Sequence, residues 1–384
     1  MTGFFHKLKK IADPAARWLV GGLFIFSGLI KLNDPVGTEI KLEEYFEVFA
    51  TDFHPLFRVF TPYALQIGLA LVVLEVVLGV AVLLYYRMRL TAPVLLGLIV
   101  FFTFLTGYSA IFNKVTDCGC FGDAIKLTPW QSFYKDLVLL VFILHLYFYR
   151  KSYTPVLRTL EGHATIATVT LICFLLGIYA IRHLPFIDFR PYKIGNHIPD
   201  QMKLPPGAKP DSVLMTFIYR KDGKLVELTL NELSQIDSTY QFVDRVDKVI
   251  RQGDRPKITD YSVTDINGND VTEQTFQGAK LLIVFHNVQK ASVANLESIR
   301  RLIKEIEGHA EIMLLTSSPE TEFEAFRHEH QLAAPYYFAD ATVLKTIVRS
   351  NPGITLWVNG TVKGMWHHND TPSAEEVMQL IGTQ

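Results

Sequence analysis

The chain has 384 residues, of which 49% are hydrophobic and 20% charged, and 37 Lys and Arg against 38 Asp and Glu give a formal net charge of −1. That balance supplies no basic field for a nucleic acid, and the length allows two or three domains. Three cysteines, Cys118, Cys120 and Cys173, exclude a disulfide-rich scaffold and a self-contained four-cysteine zinc site.

Long uncharged runs crowd the first 185 positions, and charged residues crowd the rest. Segments 15–32, 63–86, 91–112, 130–149 and 164–181 are apolar over the length of about 20 residues that a bilayer core requires. Lys135 and Asp136 shorten the clean run of the fourth. Lys7, Lys9 and Lys10 precede the first, as in a signal peptide. Asn33-Asp34-Pro35 follows it instead of a small-x-small site, so it reads as an uncleaved anchor.

With the N-terminus in the cytoplasm, the inner segments hold Lys7, Lys9, Lys10, Arg17, Arg87, Arg89, Arg150, Lys151 and Arg158. The outer loops hold Lys41, Arg58, Lys114 and Lys126. Nine against four favours this orientation. Five crossings then put residues beyond about 183 outside the cytoplasm. The expectation is a multi-pass protein of the bacterial inner membrane with a periplasmic tail.

In the first outer loop, Leu42, Tyr45, Phe46, Phe49 and Phe53 recur at helical spacing, with Glu43, Glu44, Glu47 and Asp52 between them. This amphipathic pattern suits a helix lying on the membrane surface or one packed on the bundle. Glu75 falls at the centre of the second span. An ionisable group there is costly and is by default a functional candidate. It can be protonated, paired with Lys31 or Lys135, or turned to a polar cavity; the plain alternative is a carboxyl serving helix packing.

The sharpest local feature is Asp117-Cys118-Gly119-Cys120-Phe121-Gly122, in the short loop between the third and fourth spans. Residues two positions apart reach at most ~7 Å between α-carbons, and a disulfide needs roughly 4.4–6.8 Å. Gly119 gives the chain the freedom to bring the sulfurs together. A ring this tight exchanges readily, which makes Cys118 and Cys120 a candidate redox pair. A fixed structural disulfide, two free thiols or part of a metal site remain open. Cys173, near the middle of the fifth span, reads as an inert buried cysteine.

The tail opens with the Pro- and Gly-rich stretch 199–210, followed by strand-like 213–219 and 225–230 around Asp222-Gly223. From about 258, strands are expected at 280–286, 311–316, 354–358 and 361–366, and helices at 291–307, 319–331 and 373–381. That alternation, closed by a hairpin at Asn359-Gly360, argues for a central sheet with helices on its faces. Pro352, ahead of a strand, marks a tight or cis turn. His286, His367 and His368 are candidate polar contacts without a metal-ligand pattern. There is no phosphate-binding Gly loop and no Ser/His/Asp arrangement.

Two resemblances rest on these residues. Region 15–149 resembles the MauE/DoxX group of bacterial membrane proteins through Arg17, the stretch 21–32 (GGLFIFSGLIKL), the intramembrane Glu75 and the CGCFG string of 118–122. The resemblance implies a redox-associated role for Cys118 and Cys120, with Gly119, Phe121 and Gly122 shaping their loop. MauE supports maturation of a disulfide-rich periplasmic subunit in methylamine utilisation, and DoxX relatives are tied to membrane quinone chemistry. A membrane quinone is therefore the one cofactor implied. Residues from about 258 to 382 resemble the thioredoxin-like fold of the TlpA and peroxiredoxin kind. The carriers are YSVTDINGNDV at 261–271, KLLIVFH, and Asn351-Pro352-Gly353-Ile354 at the place of that fold's cis-proline. Where that family has WCxxC, this chain reads Asn287-Val288-Gln289-Lys290-Ala291-Ser292, so the tail has no thiol to exchange.

The expected organisation is a helical membrane domain over 1–184, a linker with a small β subdomain over 185–257, and a thioredoxin-like domain over 258–384. The expected function is an accessory role in periplasmic thiol–disulfide exchange or in maturation of a periplasmic protein client. The alternative is a non-enzymatic membrane scaffold, with Cys118 and Cys120 as a structural pair and the tail as a docking module. Membrane lipid is a partner on either reading.

Overall fold

The computed structural model describes residues 2–115, 119–210, 212–221, 223–229, 232–237, 239–251 and 253–382. Six longer helices come first: α1 (Thr2–Asn33), α2 (Pro35–Asp52), α3 (Ala64–Leu83), α4 (Met88–Phe112), α5 (Pro129–Phe148) and α6 (Thr159–Arg182). Five of these are long and apolar enough to cross a membrane, α3 together with the 3-10 turn of Pro55–Tyr63 that leads into it. They match the five apolar runs of the sequence. α1 and α3 approach closely because glycines face one another: a Cβ on Gly79 would stand 2.8 Å from the Gly21 carbonyl oxygen, and one on Gly28 2.5 Å from Val76. Small residues at such contacts let backbones pack where no hydrophobic effect drives helices together.

The short helix α2 is the one not counted among the crossings. Asp34 caps it by accepting from the Gly37 amide at 2.8 Å, and Pro35 supplies its first turn. Tyr45 and Phe49 are buried among Leu105, Tyr108 and Val115. Of the two placements open from the sequence, the helix therefore takes the one packed on the bundle.

In the tail, after the single helical turn α7 (Ile198–Gln201), β1 (Ser212–Lys221), β2 (Lys224–Thr229) and β3 (Gln241–Arg251) form an antiparallel sheet in the order β2-β1-β3. A second sheet is built from β4 (Val263–Thr264), β5 (Ala279–Phe285), β6 (Glu311–Thr316), β7 (Tyr336–Ala339), β8 (Gly353–Val358) and β9 (Thr361–His367), in the order β4-β7-β6-β5-β8-β9. Its centre is parallel across β5, β6 and β7, and β8 and β9 continue antiparallel. β5 is apolar on both faces because both are covered. Leu281, Ile283 and Phe285 pack with α8 (Leu296–Glu305), α9 (Glu320–Glu329) and α11 (Ala374–Gly382), while Leu282 and Val284 pack with α10 (Ala341–Ile347). The Asn351–Pro352 bond ahead of β8 is cis. This strand order with the proline at that place is the thioredoxin-like fold.

One helix boundary differs from expectation. The sequence suggests a helix from residue 291, but α8 begins at Leu296. Asn287 instead accepts from the amides of Gln289 and Lys290, closing a short 3-10 turn, and Ala291 leaves it extended. The Ser292 amide then donates to the Asn351 carbonyl at 2.8 Å, a long-range bond that holds this stretch out of the helix.

Candidate functional site

The site is a cavity of about 340 Å³ that begins inside the bundle and ends against the underside of the tail. Its inner wall holds two ion pairs. Lys31 Nζ lies 2.7 Å from Glu75 Oε1 and 2.6 Å from Oε2, and Glu75 is 4% exposed. One turn of α5 contributes Lys135 and Asp136, with Nζ 2.7 Å from Oδ1. Thr106 on α4 donates to the other Asp136 oxygen at 3.0 Å. Of the partners open to Glu75 in the sequence, the structure gives it Lys31. The ammonium groups also stand over aromatic rings, Lys31 5.1 Å from Phe102 and Lys135 5.4 Å from Phe121, as favours a desolvated cation.

The cysteine loop forms the next part of the wall. Cys118 lies outside the described residues; Gly119 and Cys120 line the cavity. Gly119 takes φ +64° and Gly122 φ +50°, the left-handed region that glycine enters without cost. Phe121 is buried, and the Cys120 carbonyl accepts from the Ser27 hydroxyl of α1 at 2.9 Å. Cys120 is a free thiol. Burial pushes its pKa up, the ammonium groups of Lys135 and Lys31 pull the other way, and Asp136 adds to the rise. Cys173 sits apart from the cavity, buried among Leu32, Leu69, Val72 and Val73.

The tail closes the outer end. Arg349, two residues before the Asn351–Pro352 bond, reaches down between two carboxylates of the bundle side. Its Nε is 2.9 Å from Asp34 and its Nη2 3.0 Å from Asp123 in the cysteine loop. Burial alone would raise the Asp34 carboxyl; the Arg349 charge outweighs it and holds the carboxyl below its usual range. Beside this, Glu43 of α2 meets Lys345 at 2.9 Å and Lys290 at 3.1 Å. Asn33 donates to the Ile187 carbonyl, and Asn369 to that of Arg182, while His183 meets Asp370 at 2.8 Å. The face of the tail that turns to the bundle is therefore the one around the cis-proline and the turn where a thioredoxin carries its cysteines. Asn351 ties the two together by donating to the Asn287 carbonyl at 2.7 Å.

His286 lies on that same face, between β5 and the turn. Burial, reinforced by Lys345, pushes it down to about 4. His367 is likewise pushed down to about 4 by burial, with His368 next in effect, and burial also lowers His368. His368 shares its Nδ1 with the Ser350 hydroxyl at 2.9 Å. Among the described residues, no three His, Cys, Asp or Glu side chains come together as a metal site.

Sequence reasoning singled out Cys120, Glu75, Lys31 and Pro352; the structure brings the first three to one cavity, while Pro352 lies in the tail three residues beyond Arg349, which lines that cavity. It missed Asp34, Asp123 and Arg349. Nothing in their local sequence marks them, since they meet only when the halves dock. Asp136 was legible as an ionisable group within a span, the same signal that marked Glu75.

Residues 9–149 match the family model for the methylamine utilisation protein MauE, and residues 213–252 a domain of unknown function, DUF8463. Protein TlpB of Flavobacterium psychrophilum is 26% identical over 152 residues, 37% of this chain and 38% of that protein. The chain thus spans under two-fifths of the length of the curated relative it matches. Among solved structures, a proposed thiol-disulfide oxidoreductase from Bacteroides vulgatus is 18% identical, covering 32% of this chain and 88% of that one, with a TM-score of 0.26. A thioredoxin-like protein from Bacteroides caccae is 10% identical over 88% of each chain, with a TM-score of 0.24. The membrane region is thus similar to the MauE model over residues 9–149, and the strand order and cis-proline of the tail are those of a thioredoxin-like fold.

Proposed function

We propose that this protein is an inner-membrane accessory of thiol–disulfide exchange, with Cys118 and Cys120 as its redox pair and the tail facing the periplasm as a thiol-free clamp over them. The observation that carries this reading is the position of Cys120, in the wall of a cavity bounded by buried ion pairs on one side and, on the other, by α10, Arg349 and the 185–192 segment of a tail with thioredoxin-like fold. In that domain's usual chemistry the thiols sit on the domain itself; here the only paired cysteines of the chain belong to the loop beneath it.

The exchange is balanced within two dithiols. The thiolate of one loop cysteine attacks a partner's disulfide, forming a mixed disulfide and releasing one partner thiolate. The second loop cysteine then attacks the mixed bond, so that a Cys118–Cys120 disulfide forms as the partner gains two thiols. The reverse direction uses the same bonds. In that reverse direction the loop ends as a dithiol, and a membrane quinone that accepts its two electrons and two protons would regenerate the disulfide, entering along Leu71, Phe102 and Leu105 beside Lys31 and Glu75. The client is a periplasmic protein, held between the tail and the loop.

Serine replacements test this. Cys118→Ser or Cys120→Ser removes the resolving thiol, and one of the two should accumulate a mixed disulfide that reductant releases. If neither variant traps a partner and both support the wild-type phenotype, the redox reading is wrong. The loop pair is then structural and the chain is a membrane scaffold. An impermeant maleimide added to intact cells should label the reduced loop. Labelling only after the inner membrane is opened would overturn the orientation.

A further inference from the structure

Lys135 and Asp136 make none of the docking contacts described above; Asp136 ties α5 to α4 by accepting from Thr106, a bond that needs no ammonium beside it. Asp136 is 1% exposed. Replacing such an ion pair by apolar residues of similar size is often neutral or stabilising, so its presence calls for a use. Both residues line the cavity that Cys120 lines, and Lys135 Nζ stands over the ring of Phe121, the residue that follows Cys120.

The thiolate, not the thiol, is the nucleophile in exchange, and a buried thiol resists ionisation unless a cation is near. The charged groups facing the loop come from every element packed on it. α1 supplies Lys31, α3 Glu75, α5 Lys135 and Asp136, and α2 Lys41 against Gly119; the loop itself holds Lys126, which also lines the cavity, and Asp123, which Arg349 takes. Lys31 lies within 2.7 Å of both oxygens of Glu75. Lys135 meets one oxygen of Asp136, and Thr106 donates to the other. The carboxylate of Asp136 is thus shared between a cation and a hydroxyl, which leaves part of the Lys135 charge for the loop.

We infer that Lys135 is the cation that stabilises the Cys120 thiolate, a positioning residue for the exchange, and that Asp136 sets how strongly it does so. The inference deepens the proposed redox reading and rests on it. On ionisation the thiol proton passes to solvent in the cavity, and the electron pair stays on sulfur beside the ammonium.

The test uses the full chain with Cys120 as its single thiol, Cys118→Ser and Cys173→Ala, and measures iodoacetamide alkylation against pH. Lys135→Met should displace the profile to higher pH and slow alkylation at neutral pH by about tenfold. Asp136→Asn should displace it to lower pH, and Lys135→Arg should leave it near the parent. A purely structural role predicts no such opposite signs. The inference is overturned if Lys135→Met and Asp136→Asn move the profile the same way, or if neither moves it. Should Lys135→Met fail to fold, the decision falls to Asp136→Asn, whose profile must move to lower pH. A shifted profile without any trapped partner would sink the redox function and keep this charge assignment; a trapped partner with an unmoved profile would do the reverse.

Discussion

The two halves of the chain place their buried charges differently: the tail sets Arg190 and Lys280 at the margins of its core, against Asp188 and Glu311. Both faces of the tail's central sheet are filled by apolar side chains, from Leu281, Ile283 and Phe285 on one side to Leu282, Val284 and Trp357 on the other. The bundle has apolar seams as well, yet it also encloses Lys31 with Glu75 and Lys135 with Asp136. The tail keeps what its fold needs and lacks the thiols that usually go with it. The bundle keeps ionised groups that cost about 2.5–3.5 kcal/mol each at a bilayer centre, and keeps them where the cysteine loop sits. A fold is held by its core, and its chemistry is separable from it. The proposed redox role puts the chemistry in the bundle, beside these costly groups.

The sharpest way to break that comparison is to remove one member of a buried pair. Glu75→Leu strands the Lys31 ammonium inside the bundle and should destabilise the full chain by about 3–5 kcal/mol. Lys31→Met together with Glu75→Leu removes both charges and should recover most of it. Thermal unfolding in detergent, followed by Trp fluorescence, gives the comparison. If the double variant is no better than the single, the pair is not coupled and the contrast between the halves weakens.

Most of the architecture was legible in the sequence, for reasons that differ by region. The five crossings announce themselves because a bilayer demands long apolar runs. The buried strand β5 does so because its stretch from Leu281 to Phe285, covered on both faces, carries no charge to interrupt it. β3 was not anticipated: its strand alternates charged residues such as Asp244, Arg245 and Asp247 with apolar ones on an exposed ribbon, and no face of it reads as a core. The start of α8 was misplaced because Asn287 closes a separate short turn and Ser292 donates to the Asn351 carbonyl, a partner far along the chain. In the site, Glu75 and the cysteine loop could be seen one residue at a time. The Arg349 contacts could not, since Asp34 and Asp123 lie 315 and 226 positions away from it, and no local pattern joins them.

Arg349 also tests whether the halves act as one unit. It is 6% exposed, and Arg349→Ala leaves two partly buried carboxylates without their cation. A loss of about 3 kcal/mol is expected, felt as separation of the halves and not as unfolding of either. Limited proteolysis within the connecting residues 183–197 should speed up sharply, while the melting of the tail's own core stays put. Arg349→Lys should restore little, because a single ammonium cannot span both carboxylates as the guanidinium fork does.

Acid offers a smaller effect confined to the tail. His286 has its folded pKa pushed down to about 4 from the ordinary 6.5. The unfolded chain therefore binds a proton between those values that the folded chain does not. Stability from this group is fully present above pH 6.5 and is lost as pH falls toward 4. The ceiling is roughly 3 kcal/mol, and solvent access to this partly exposed ring cuts it to about 2. His286→Phe should flatten that part of the stability–pH curve. An unchanged slope would mean that His367, displaced in the same direction, carries it instead.

The smallest effect is expected at the rim of the interface. Lys290 is well exposed and shares Glu43 with Lys345, which is less so. Exposed pairs contribute about 0.2–1 kcal/mol and are screened by salt. Lys290→Ala should therefore cost under about 1 kcal/mol and leave the linker protected from protease. Lys345→Ala should cost more, because Glu43 would then hold only the solvated partner. The two together should exceed their sum, since each single variant leaves the carboxylate one cation. If Lys290→Ala alone frees the tail as Arg349→Ala does, docking depends on surface charge and not on the buried guanidinium, and the tail is a loosely tethered module whose contact with the cysteine loop is governed by ionic strength.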